Sequence, residues 1–202
     1  LSGWTSLKTI GNDFLKNNEV IYGINLSGAT SLESIGDEFL RHSHSLTVVN
    51  LTGLTSLKTI DSSFLKNDEI TSMKENFASL DLSTWTQLES IGEDFMGRNQ
   101  YAQTIDLSGL DSLKSVGDNF LKGTWDIYNL RWLKLPKYKS IYKGELAKKL
   151  YNNIIAAPSE PFWNNGGIFV VPEGDVGNWK TGFIYEGGGE NYRLVAQGTG
   201  YM

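Results

Sequence analysis

One phrase recurs along this chain, and its recurrence limits the fold more than any other property. Leu26-Ser27-Gly28-Ala29-Thr30-Ser31-Leu32-Glu33-Ser34-Ile35-Gly36-Asp37-Glu38-Phe39-Leu40 returns, with side-chain variation only, from Leu1, Leu51, Leu82 and Leu107, at spacings of 25, 25, 31 and 25 residues. A worn copy, Leu135-Pro136-Lys137-Tyr138-Lys139-Ser140-Ile141, starts 28 residues after Leu107. A fixed period of this length marks a stacked array, in which no unit buries its apolar face alone and each is stable only against its neighbours.

Each phrase is preceded by the pattern apolar-x-x-apolar-x-Leu, as in Ile21-Tyr22-Gly23-Ile24-Asn25-Leu26, and again over 46–51, 77–82, 102–107 and 130–135. Its last four residues alternate with the strand period, so each unit supplies one strand to a parallel sheet. A second apolar pair follows, Leu7/Ile10, Leu32/Ile35, Leu57/Ile60, Leu88/Ile91 and Leu113/Val116, which predicts a shorter strand or extended turn on the opposite wall. In Gly36-Asp37-Glu38-Phe39-Leu40 and its equivalents, an Asp, Asn or Ser suits the cap of one helical turn whose Phe and Leu plug the core. Gly11, Gly36, Gly92 and Gly117 mark a bend, with Asp61 in the same slot of the third unit; both residue types tolerate positive φ. The expected fold is α/β: a right-handed leucine-rich-repeat solenoid with a parallel sheet and short helical turns over residues 1–141.

From Ile141 the pattern breaks. Leu146, Leu150, Ile154 and Tyr151, Ile155 stand at helical spacing between Lys143 and Ala157, and Pro158 ends that run. Short apolar runs follow, Ile168 to Val171, Phe183 to Tyr185 and Tyr192 to Ala196, and read as closing strands. The glycines Gly187-Gly188-Gly189 between them read as a hairpin turn, since the chain contains neither a GxxxxGK[ST] nor a GxGxxG arrangement. Residues 142–202 are thus expected to form a helix-plus-strands cap.

At this point a resemblance is visible. The LxSIGxxFL phrase resembles the BspA-like class of leucine-rich repeats of bacterial surface and secreted proteins. Ile168-Phe169-Val170-Val171-Pro172-Glu173-Gly174-Asp175-Val176-Gly177-Asn178-Trp179-Lys180 is similar to the phrase that commonly closes such arrays. The resemblance implies an exported protein, extracellular or at the cell surface, often a lipoprotein or adhesin, that contacts host or matrix proteins. It implies no catalytic residues and no cofactor. Asp61 in a glycine slot and the 31-residue unit depart from the usual pattern, and neither touches the core columns.

Other properties narrow the function. A formal net charge of -5 without a basic cluster provides no footprint for a phosphate backbone, so nucleic acid is not an expected partner. No stretch reaches the roughly 18 apolar residues of a transmembrane helix, and Leu1-Ser2-Gly3 lacks the stages of a signal peptide. The chain opens inside a repeat, so residues upstream are expected. Without cysteine there are no disulfides, thiolate metal sites or cysteine nucleophiles. The two histidines, His42 and His44, occupy a polar turn with no third ligand nearby, and the serines of the L-S-G phrase read as turn formers. A ladder of Asn25, Asn50, Asp81 and Asp106 has two readings: oxygen ligands for calcium, or side chains accepting hydrogen bonds from their own following turns. The sequons at Asn25 and Asn50 read as accidents of that ladder.

Interruptions of the period are the more informative places, because insertions in a solenoid project on one side, often the binding side. Extra residues fall in one slot, around Thr71 to Asn76 in the third unit and Gly123 to Asn129 in the fifth, and Gly97 to Tyr101 occupy it in the fourth. Met73, Arg98, Tyr101, Trp125 and Tyr128 are therefore expected on one edge, beside the outward strand residues Thr104, Arg131 and Trp132. Exposed Trp, Tyr and Arg dominate interface hot spots. The expected function is a non-catalytic binding module for a protein partner. A glycan module using Tyr22, Tyr101, Trp125 and Trp132 as sugar platforms is the alternative, as is an architectural segment of a larger surface protein.

Overall fold

The structure, a computed structural model, describes residues 3–67, 79–99, 102–123, 130–155, 168–185 and 194–196. The chain coils as a β-solenoid of parallel strands with some helix. Strands are numbered in chain order. On one wall stand β1 (Thr9–Ile10), β3 (Ser34–Ile35), β5 (Thr59–Ile60), β7 (Ser90–Ile91) and β9 (Ser115–Val116), which pair in that order in a five-stranded sheet. The main wall consists of β2 (Gly23–Asn25), β4 (Val48–Asn50), β6 (Ser79–Asp81), β8 (Thr104–Asp106), β10 (Trp132–Lys134), β11 (Ile168–Val171) and β12 (Leu194–Ala196).

Register matches the repeat residue for residue. Ile24 faces Val49, Leu80 faces Ile105, and Leu133 lies between Ile105 and Phe169. On the opposite wall Ile10, Ile35, Ile60, Ile91 and Val116 form one inward column. These columns are buried, Val49 only partly, and with the five phrase leucines from Leu26 to Leu135 they fill the coil. Burying a large aliphatic side chain contributes roughly 1.5–3 kcal/mol, so each coil adds stability only where the next one covers it.

The third side of the coil corrects the sequence reading. Phe14, Phe39, Phe64, Phe95 and Phe120 do plug the core, but no helical turn carries them. The backbone instead enters the left-handed region at alternate residues, at Asp13, Leu15 and Asn17 (φ 59°, 54°, 56°) and again at Glu38, Leu40 and His42 (φ 60°, 53°, 55°). The cause is spacing. An α-helix is about 10 Å across and cannot stack at the roughly 4.8 Å strand separation that both walls impose. The amides therefore donate to the neighbouring coils instead of four residues back: Leu40 to the Phe14 carbonyl at 2.9 Å, Glu38 to that of Ser62 at 2.8 Å. The phenylalanines stack at centroid distances of 5.1–5.6 Å with nearly parallel rings.

The bend glycines are also explained differently. Gly36, Gly92 and Gly117 do not have positive φ; they sit against the coil in front. A Cβ on Gly117 would lie 2.4 Å from the Glu93 nitrogen, and one on Gly92 would lie 2.6 Å from the Asp61 carbonyl carbon.

Among the described residues the main-wall strands fall into two sheets. β2 and β4 form a two-stranded sheet, and β6 begins a separate five-stranded sheet ending at β12. The break coincides with the 31-residue unit. There Trp85 takes the slot held by Ala29, Leu54 and Leu110 in other coils, fully buried and edge-on to Phe64 at 6.0 Å. Its indole N–H donates to the Leu51 carbonyl at 3.1 Å, and the Gly53 amide donates to the Thr84 hydroxyl at 2.9 Å.

Past residue 141 the main wall continues, because β11 and β12 add to it in parallel. The second wall becomes helical, with a 3-10 turn (Ser140–Lys143), α1 (Leu146–Leu150) running into a π-helical turn (Tyr151–Ile155), and α2 (Val176–Tyr185). The expected helix is thus present over 146–155. The closing strand expected at Phe183–Tyr185 is overturned, because these residues end α2. The hairpin reading fails with it, since β11 and β12 run parallel; Gly187 to Gly189 lie outside the described residues. Asp175 opens α2, its carbonyl accepting the Trp179 amide at 3.0 Å. Gly182 fits there because a Cβ would come 2.8 Å from the Tyr138 ring. Trp179 is buried between Tyr138 and Tyr142 and donates to the Pro136 carbonyl at 3.0 Å. Burial and the Asp111 charge push the Tyr142 phenol up to about 12, and its hydroxyl donates to the Leu110 carbonyl at 2.6 Å.

Candidate interaction surface

Two outward rows run along the main wall. The first passes through Gly23 and Val48, then Ser79, Thr104, Trp132 and Ile168; the second through Asn25 and Asn50, then Asp81, Asp106, Lys134 and Val170. In the second row the side chains serve their own turns. The carboxyl or amide oxygens of Asn25, Asp81 and Asp106 accept the amides two residues on at 2.9 Å, and Asn50 accepts both the amide and the hydroxyl of Thr52. This is the local hydrogen bonding typical of Asn and Asp in turns. Burial raises the pKa of the Asp106 carboxyl, but hydrogen bonds from Lys134 (2.8 Å) and Ser108 outweigh it and hold the group below the usual carboxylate range.

Of the residues expected to bind, Thr104 and Trp132 are register partners on neighbouring strands, both half-buried. Arg131, exposed, precedes β10; its amide donates to the Gln103 carbonyl and its carbonyl accepts from Ile168, each at 2.8 Å. Arg98 is exposed on the third side of the coil with φ 55°, its amide bonded to the Lys122 carbonyl at 2.7 Å. The structure therefore joins Thr104, Arg131 and Trp132 on one wall and puts Arg98 around the corner. Met73, Tyr101, Trp125 and Tyr128 lie outside the described residues.

His42 and His44 stack at 6.0 Å between ring centroids. Among the described residues no three His, Asp or Glu side chains come together as a metal site. One buried space of about 10 Å³, the size of a single water, adjoins Ser43, Asn67 and Asn99, and an open polar groove runs past Asp13, Lys16, Asp37 and Glu38.

Two features escaped the sequence reading. The residue before each second-wall strand alternates in charge, Lys8, Glu33, Lys58, Glu89, Lys114. Glu33 Oε1 lies 3.6 Å from Lys8 Nζ and its Oε2 lies 2.9 Å from Lys58 Nζ; Lys114 pairs with Glu89 at 2.9 Å. The hydrogen bond from Lys58 and the charges of both lysines lower the Glu33 pKa. Aligning this one column of the repeat would have revealed the pattern. The second feature is a group of exposed apolar side chains, Trp4, Val20, Tyr22 and Val48, in the first two coils.

In comparisons with known proteins, no family model, curated protein or solved structure matches the chain. The sequence resemblance thus stands on its motifs alone.

Proposed function

We propose that this chain is a non-catalytic binding protein of the leucine-rich-repeat type, right-handed and closed by its C-terminal segment, that works outside the cell or at its surface. Its partner is a protein, held on the main wall. The supporting observation is the group formed by Trp132, Thr104 and Arg131: a half-buried indole beside a hydroxyl and an exposed guanidinium, on a hydrogen-bonded strand ladder with exposed Ser79 in the same row. Partly seated Trp and Arg are the side chains that anchor protein interfaces. The BspA-like phrases support export and adhesion, and a net charge of -5 argues against nucleic acid.

The test is a capture screen on arrayed matrix proteins and glycans, comparing the protein with Trp132→Ala and Arg131→Ala. A protein ligand lost about tenfold or more in Trp132→Ala, with unchanged circular dichroism, supports the reading. Equal capture by parent and variant refutes the site. Capture of glycans alone replaces the protein partner with a sugar.

A further inference from the structure

We propose that the corner shared by the second, third and fourth coils binds one internal water molecule, anchored by the side chains of Ser43, Asn67 and Asn99. This site is separate from the main-wall patch, and the inference does not depend on that reading.

The requirement comes from one oxygen. Asn99 is 4% exposed, and its Oδ1, shielded from solvent, accepts no hydrogen bond from the protein. An amide oxygen removed from bulk water is disfavoured unless another donor replaces the one it lost. The first coil shows how the same slot is satisfied elsewhere. Asn18 follows Phe14 by four residues, as Asn99 follows Phe95, and its Oδ1 accepts the amides of Val20 at 3.0 Å and Ile21 at 2.7 Å. Asn99 Oδ1 has no such amides.

Room and partners for a donor are both present. Asn99 lines a cavity of about 10 Å³, the space of a single water, together with Ser43 and Asn67. All three side chains belong to residues more than nine-tenths buried. Leu40, Leu46 and Leu65 form the apolar part of the wall. Voids that stay dry are lined by apolar groups alone, whereas a water settles where about two to four polar partners converge. The Ser43 hydroxyl spends its hydrogen on the Leu15 carbonyl at 2.9 Å, so toward the cavity its oxygen can only accept. A water there gives one hydrogen to Asn99 Oδ1 and the other to Ser43 Oγ, and its own oxygen accepts from the Asn67 side-chain amide.

Charge selects water over a cation. Lys66 belongs to the same wall, and its ammonium pairs with Asp94 at 3.0 Å, so a second positive charge nearby is disfavoured. The repeat accounts for the cavity itself. Ser43 and Asn99 hold the same slot of their units, and the 31-residue unit lies between them. Backbone spacing is kept there, because the Asn67 amide donates to the Gly97 carbonyl at 2.9 Å. The irregularity is thus taken up by side chains, and water fills what they leave.

The experiment records water-to-protein NOE and ROE cross-peaks on the full chain and counts its long-lived internal waters by oxygen-17 relaxation dispersion. Long-lived water contacts are expected at the side-chain amide protons of Asn99 and Asn67. Asn99→Leu, close in volume but without the oxygen, should lose the Asn67 contact and lower the count by one water. Asn18→Leu, in the equivalent slot of the first coil, should leave the count unchanged. If Asn99→Leu fails to fold, the parental cross-peaks decide alone. Absence of a water contact at Asn99 in the parent, or equal counts in the parent and Asn99→Leu, would overturn the proposal. So would shifts of both side-chain amides that saturate with added sodium or potassium, which would make the occupant a cation.

Discussion

Truncating one ring of the phenylalanine column tests whether stacking between coils holds this molecule together. Phe64 is fully buried, stacked at 5.1 Å on both Phe39 and Phe95, and edge-on to Trp85. Removing a buried Phe ring costs about 3–5 kcal/mol, and three aromatic contacts, each worth about 0.5–1.5 kcal/mol beyond area, place Phe64→Ala at the upper end, near 5 kcal/mol. Phe14 has the same phrase around it, but it is only partly buried and stacks on one ring. Phe14→Ala should therefore cost about 2 kcal/mol, because the ring is less buried and loses one aromatic contact instead of three. The difference of about 3 kcal/mol is a large share of the 5–15 kcal/mol that folded chains typically have. Urea unfolding followed by tryptophan fluorescence should separate the two midpoints by more than about 1 M, taking a slope of about 2–3 kcal/mol per molar. Equal midpoint shifts with equal slopes would show that stability does not grow with the number of covering coils, and the stacking argument would fail.

Three further outcomes follow from the same packing. Gly117→Ala should cost about 3 kcal/mol by thermal melting, because the new methyl would meet backbone at 2.4 Å, whereas Gly11→Ala should stay within about 0.5 kcal/mol. Trp85→Phe should lose about 2 kcal/mol, since the Leu51 carbonyl would remain buried without its indole donor. The lowered pKa of Asp106 gives stability that is present above its unfolded pKa near about 3.9 and is lost as pH falls through the folded value. Lys134→Met should therefore cost about 1 kcal/mol at pH 7 in urea unfolding, and the gap to the parent should close as pH falls through the lowered folded value; a gap constant with pH would contradict this role for the pair.

The legible parts of the fold were those fixed by period. The three-residue strands, the Leu and Ile columns and the Phe plug could be placed because the alternation around Ile24-Asn25-Leu26 and the spacing of Leu32 and Ile35 are local. The backbone of Asp37-Glu38-Phe39-Leu40 was not legible, since a capping residue before an apolar pair suits a helical turn and a left-handed ladder equally. Only the distance between coils decides, and that distance is set by other residues. For α2, Gly177 and Gly182 disguised a helix, and the reason for Gly182 is Tyr138, over forty residues earlier. The outward placement of Thr104 and Trp132 was readable from alternation, whereas Arg131 stands before β10. Arg98 is exposed where its slot turns the corner before β8, and the Lys8-to-Lys114 ladder was overlooked although one aligned column contains it.

The seam between β4 and β6 gives the molecule a preferred way to bend. Across it β5 and β7 remain hydrogen-bonded, as do the phenylalanine turns through the Met96 amide and the Phe64 carbonyl, while among the described residues the opposite wall is joined through the Gly53–Thr84 and Trp85–Leu51 bonds. A ladder continuous on one side and stitched on the other behaves like a bound book. It opens by rotation about its spine, and Leu51 and Leu82, at the inner margin of the gap, are the first core side chains that such an opening would wet.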